Sequence, residues 1–130
     1  MKIIAFFCQW CAYRGADLAG TLRLEYPHEI RIVKIPCTGG ISPHILLKTF
    51  QMGADGILIG GCYPGECHYE HGNLIAEKRI KILKEILKKV GIEPERIEIT
   101  WISAGEGIKM QKKAYEFYEK IKKLGSLKNE

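Results

Sequence analysis

Apolar residues recur along the chain in two alternating rhythms. Four short runs are rich in β-branched and aromatic residues: KIIAFF (2–7), IRIVKI (30–35), DGILIGG (55–61) and RIEITWI (96–102). Their length and composition predict strands. Between them the spacing changes to three and four. Leu18, Leu22 and Tyr26 form one stripe of a helix expected over 14–26. A second helix is expected over 43–52, with Ser42 as its cap, Pro43 at its first position and Gly53 as its stop. The longest runs over 74–90, capped by Asn73 and stopped by Gly91. Glu93-Pro94-Glu95 turns the chain, and a last helix fills 108–125.

Strand and helix alternate four times, which predicts an α/β domain with a mainly parallel sheet. The expected architecture is a single three-layer, flavodoxin- or Rossmann-like domain over residues 1–125, with residues 126–130 as a frayed tail. Right-handed crossovers give the strand order 2-1-3-4. In such a sheet, ligands bind beyond the carboxyl ends of the strands.

The 130 residues, 46% hydrophobic and 27% charged, are ordinary for one folded domain. No apolar stretch approaches the roughly 18 residues of a membrane span, and MKIIAFFCQWCAYRG lacks a signal-peptide cleavage site. The chain is therefore expected in the cytoplasm, without a membrane partner. The net charge of +5 comes largely from lysines alternating with Ile and Leu after residue 78. That is the pattern of a solvated helix face. No stacking platform accompanies it, so no nucleic-acid partner is expected.

Five cysteines change the picture. Cys8, Cys37 and Cys62 end the first three strands, and Cys11 and Cys67 fall in the loops just beyond Cys8 and Cys62. All five are thus expected at one edge of the sheet. An odd number in a cytoplasmic chain argues against a disulfide frame and for metal or thiol chemistry. Zinc prefers paired knuckles, and Cys8-x2-Cys11 is one, but Cys62-x4-Cys67 is loose for the other. Thiol redox would use Cys8-Gln-Trp-Cys11 before a helix, leaving three cysteines without a task. An iron–sulfur cluster takes four thiolates at variable spacing beside glycine-rich loops, and Gly39, Gly40, Gly60, Gly61 and Gly65 supply these. Two cysteine pairs suit a 2Fe–2S cluster, one pair per iron. The residues favour iron–sulfur first, a zinc-stabilised binding module second and a dithiol oxidoreductase third. His68 and His71 are read as supporting groups, His28 and His44 as surface or capping residues, and Trp10 and Tyr63 as shields against water.

The blocks FFCQWCAYRGAD, PCTGG and GADGILIGGCYPGECHYEHGN resemble the iron–sulfur (delta) subunit of methyl-viologen-reducing NiFe hydrogenases of methanogenic archaea, a domain also fused to the HdrA subunit of heterodisulfide reductase. The resemblance covers almost the whole chain. It implies an electron-transfer subunit, not itself a catalyst, that carries a 2Fe–2S cluster. Its partners would be the hydrogenase small and large subunits and the HdrA subunit of heterodisulfide reductase. Carried over by position, four of Cys8, Cys11, Cys37, Cys62 and Cys67 hold the cluster. The two-pair scheme uses Cys8, Cys11, Cys62 and Cys67, with Cys37 as the alternative fourth ligand. One departure stands out: that family continues its third cysteine as Ser/Thr-Gly-Arg, whereas Cys37 is followed by Thr38, Gly39 and Gly40. The missing positive charge bears on the cluster's potential or on a docking contact.

Overall fold

A computed structural model of the chain describes residues 2–8, 12–13, 16, 29–35, 41–61, 72–102 and 105–125. Four strands, β1 (Ile3–Cys8), β2 (Ile30–Ile35), β3 (Gly56–Gly61) and β4 (Ile97–Trp101), form one parallel sheet in the order 2-1-3-4. Every strand pair is parallel, one step beyond the mainly parallel sheet expected. Ile3 lies opposite Ile30 on one side and Gly56 on the other. The described helices are α1 (Pro43–Gln51), α2 (Gly72–Val90) and α3 (Gly107–Leu124). Of the helix expected over 14–26, Ala16 is helical, as are Ala12 and Tyr13 just before it, and the rest lies outside the described residues, as do 126–130.

Local signals explain the helix ends. Ser42 Oγ accepts a hydrogen bond from the Ile45 amide at 3.2 Å, and Pro43 opens α1 with its fixed φ. The stops at Gly53 and Gly91 have φ of 104° and 86°, a region in which a side chain is strained. Helix α2 begins at Gly72, so Asn73 lies in its first turn.

The sheet is covered on both faces. Ile3, Ala5 and Phe7 of β1, with Leu58 of β3, pack against Met110, Ala114, Phe117 and Ile121 of α3. On the other face Phe6, Ile57, Ile59 and Ile97 pack against Leu46 and Phe50 of α1 and Ile80, Leu83 and Leu87 of α2. This is the three-layer arrangement expected, and strand alternation sorts the residues between the two layers.

The amino edge is tied by polar groups. The Lys2 amide donates to Asp55 Oδ2 at 2.7 Å, and the Asp55 amide donates to the Lys2 carbonyl at 2.7 Å. Arg96 is only 2% exposed. Its guanidinium donates to the carbonyls of Asp55, Gly125 and Leu124 at 2.9, 2.9 and 3.3 Å, and its Nε to Glu93 Oε2 at 2.6 Å. The cation therefore sits at the C-terminal end of α3, where the helix dipole favours it, and joins that end to β3.

On β4, Glu98 faces α3 and pairs with Lys120 at 2.5 Å and with Lys113. Burial pushes its carboxyl up, but the hydrogen bonds from Lys113 and Lys120 outweigh this and hold it below the usual carboxylate range. A depressed folded-state pKa contributes stability above the unfolded value of about 4.3, lost as pH falls through the folded value. Glu98→Gln is expected to lower stability at neutral pH by about 1–2 kcal/mol and to flatten the loss between roughly pH 5 and 3. Urea melts across that range check it; parallel curves for the two proteins would contradict the assignment.

Candidate metal centre

Strands β1, β2 and β3 end together, because their register is matched. Cys8 lies opposite Ile35 of β2, and Phe7 opposite Gly60 of β3. With neighbouring strands about 4.8 Å apart, the ends of β2 and β3 flank the end of β1 within roughly 10 Å of each other. Gly61 is fixed at this edge by its carbonyl, which accepts from the Ile102 amide at 2.9 Å.

Cys8 is the cysteine that falls within the described residues, and it stands at the carboxyl edge as expected. It is 1% exposed and belongs to the apolar cluster that includes Ala12, Ala16, Ile102 and Met110. Strict strand alternation would assign it to the opposite layer with Phe6; at the strand end it joins the α3 layer instead. Cys11, Cys37, Cys62 and Cys67 lie outside the described residues, as do His28, His68, His71, Trp10 and Tyr63. His44 is exposed in the first turn of α1, in keeping with a surface role.

The two residues that follow Cys11 in sequence reveal how this edge is built. A Cβ placed on Gly60 would lie 2.8 Å from the Ala12 Cβ and 2.7 Å from Phe7 Cδ1. Ala12 therefore rests on β3, two residues before Cys62, at a distance only glycine allows. Tyr13 lies on the other side, its ring 5.2 Å from the Lys34 ammonium of β2, within cation–π range. The chain after Cys11 is thus pinned across the end of β1, against both neighbouring strands. On the opposite layer, Arg79 of α2 donates to the Ile41 carbonyl at 3.1 Å, fixing the point where the chain enters α1.

This packing makes Gly60 a sensitive position. Gly60→Ala is expected to cost about 1–3 kcal/mol through overpacking against Phe7 and Ala12. Thermal melting checks the cost, and a midpoint unchanged from wild type would show that Ala12 moves away freely.

Among the described residues no three His, Cys, Asp or Glu side chains are grouped to hold a metal. The fit to a cluster rests on the donor chemistry and the frame. A thiol sits at the strand end, shielded from water by apolar side chains, with Gly60 and Gly61 presenting backbone and no side chain beside it. Thiolate ligation in a water-poor pocket suits iron–sulfur and zinc alike.

The cysteine spacing and strand pattern pointed to this edge; Ala12, Tyr13 and Arg79 did not stand out. The Gly60-Gly61 pair at the end of an apolar strand was the readable signal for the close approach of Ala12. Arg79 is one of many basic residues on α2, and nothing in the sequence separates it from the rest.

Comparison with known proteins shows the family. The family model described as FlpD, methyl-viologen-reducing hydrogenase, delta subunit, matches residues 3–125. The chain is 49% identical over 124 residues to the vhc iron-sulfur subunit of the F420-non-reducing hydrogenase of Methanococcus voltae, covering 95% of this chain and 86% of that one. It is 44% identical over 129 residues to the iron-sulfur subunit of the F420-non-reducing hydrogenase of Archaeoglobus profundus, covering 99% and 94%. It is also 42% identical over 128 residues to the HdrA subunit of the ferredoxin:CoB-CoM heterodisulfide reductase of Methanosarcina mazei, where it matches 98% of this chain but only 16% of that longer protein.

Proposed function

Because the chain belongs to the family of the methyl-viologen-reducing hydrogenase delta subunit, we propose that it is an electron-transfer subunit carrying a 2Fe–2S cluster at the carboxyl edge of its sheet. Cys8, Cys11, Cys62 and Cys67 hold the cluster in this reading, and Cys37 stands beside them as the alternative fourth ligand. When bound, the cluster accepts and passes on one electron at a time between a hydrogenase and the HdrA subunit of heterodisulfide reductase.

The observation that carries the reading is the pinning of Ala12 and Tyr13. It sets Ala12, the residue after Cys11 in sequence, against Gly60 of β3, two residues before Cys62 in sequence, and this supports a site shared by the two pairs. The chain's own residues do three things there. Cys8, buried among Ala12, Ala16, Ile102 and Met110, keeps its sulfur from water. Gly60 and Gly61 leave backbone close at hand, and amide donors near cluster sulfurs tune a potential. The parallel sheet, covered on both faces, fixes the ends of β1, β2 and β3 relative to each other.

The names of the relatives support the partners proposed. Several are hydrogenase iron-sulfur subunits, and two are HdrA subunits of heterodisulfide reductases that contain nearly the whole of this domain within a much longer chain. The presence of nearly the whole domain inside those longer chains supports HdrA as an electron-transfer partner. Hydrogenase small and large subunits stand on the other side of the relay. No described helix is long and apolar enough to cross a membrane, and the oxygen-sensitive thiol set suits a reducing cytoplasm. The experiment is anaerobic redox titration of the purified chain by visible absorption. Reversible bleaching with dithionite is expected, whereas a chain that binds zinc and shows no redox change overturns the reading.

A further inference from the structure

Helix α2 has two apolar stripes, and the sheet uses one. Ile80, Leu83 and Leu87 are buried with Ile57 and Ile59 of β3 and Ile97 of β4, and Ala76 on the same stripe is buried too. Rotated from them by about 90° runs a second stripe, Ile75, Ile82, Ile86 and Val90, with exposures of 44%, 62%, 40% and 62%. Steps of seven, four and four residues keep these side chains on one line along the helix. With Arg79 between Ile75 and Ile82 the steps are four, three, four and four, a continuous line of about 22 Å along the helix. Arg79 is itself occupied by the Ile41 carbonyl. Four large aliphatic side chains in a row on a helix otherwise dense with charge mark an interaction face.

The charges say what it fits. Six basic and two acidic residues lie on α2. Lys78 and Lys89 border the stripe on its solvent side; Glu85, the acid nearest that border, is paired with Lys88 at 3.4 Å. We propose that this stripe is a docking surface for an amphipathic helix of another protein, one with aliphatic residues along its seam and Asp or Glu at its flanks. A second copy of this chain fits poorly. Packed antiparallel about Ile82 and Ile86, two α2 helices bring Lys78 of one against Lys89 of the other, and packed parallel they pair like with like. A lipid surface is disfavoured because the stripe contains no Trp or Phe to seat at an interface. Phosphate of a nucleic acid gains nothing from an aliphatic seam. The surface depends on α2 alone and holds whichever metal the cysteines bind.

The test uses the native complex purified with its partners. Zero-length carbodiimide cross-linking and peptide mapping are expected to join Lys78 or Lys89 to an Asp or Glu of a partner protein. Exchanging the chain for Ile82→Glu/Ile86→Glu is expected to weaken the complex about tenfold or more. The variant's helical circular dichroism and iron content should match wild type, since both residues are exposed. Lys78→Glu/Lys89→Glu, which keeps the apolar seam, should also weaken it, with the difference shrinking at high salt. Unchanged association of both variants overturns the proposal. So do cross-links found only between copies of this chain, or binding seen only to phosphatidylglycerol vesicles. Zinc in place of iron would contradict the cluster and leave the docking result standing.

Discussion

Replacing Arg96 by methionine is expected to lower the free energy of unfolding by about 3–5 kcal/mol and the melting midpoint by roughly 10–20 °C. Methionine keeps much of the volume, so the loss comes from polar groups and not from a cavity. The carbonyls of Asp55, Leu124 and Gly125 all accept from this one guanidinium, which is 2% exposed. Without it, part-buried acceptors lose their donor, and the C-terminal end of α3 loses a cation matched to its dipole. Glu93 offers a further check. The hydrogen bond from Arg96 is the main reason its carboxyl lies below the usual range. That carboxyl should rise toward the ordinary range in Arg96→Met, measurable by NMR titration. Arg96→Lys should fall between, since an ammonium lacks the fork that spans three carbonyls. A methionine variant that melts with wild type would contradict the clamp. Because the clamp sits at the amino edge, the folded fraction of this variant should keep its full metal content.

The second large effect lies at the opposite edge. Alanine at Cys8, Cys11, Cys62 or Cys67, one at a time, is expected to abolish most of the bound iron, because in the proposed two-pair scheme each supplies one of the four thiolates. Cys37→Ala is expected to retain it. Iron lost from Cys37→Ala and retained in Cys67→Ala would move the fourth ligand to the end of β2. The distinction is open to experiment because Cys37 comes two residues after Ile35, which pairs with Cys8. Cys8→Ala is the informative control for folding. Alanine fits the apolar cluster of Ala12, Ala16 and Ile102, so loss of iron there should come with little loss of stability.

Much of this was legible in the residues. The four β-rich runs, the Ser42-Pro43 start and the glycine stops are local signals, and local physics decides them. Order 2-1-3-4 followed from the handedness of crossovers. The convergence of strand ends was a consequence of that order, and the placing of Cys8 at that edge agrees with it; the other four cysteines lie outside the described residues. What remained hidden depends on partners distant in sequence. Arg96 looks like one more charge in PERIEI, yet its carbonyl acceptors are 28 to 41 residues away. Glu98 reads as the outward residue of an alternating strand, but β4 meets α3, whose lysines reach it. The second stripe of α2 was visible as alternating Ile and Lys, and only the packing shows which Ile face the sheet. Ligand choice among the five cysteines did not follow from spacing, because spacing along a chain leaves the direction of each side chain undetermined.

The most direct measurement is iron and acid-labile sulfide per chain in anaerobically purified protein, with electron paramagnetic resonance after reduction. The account predicts two irons and two sulfides per chain, the composition of a 2Fe–2S cluster, with a spin one-half signal that disappears on reoxidation. Stoichiometric zinc with no labile sulfide would contradict it outright.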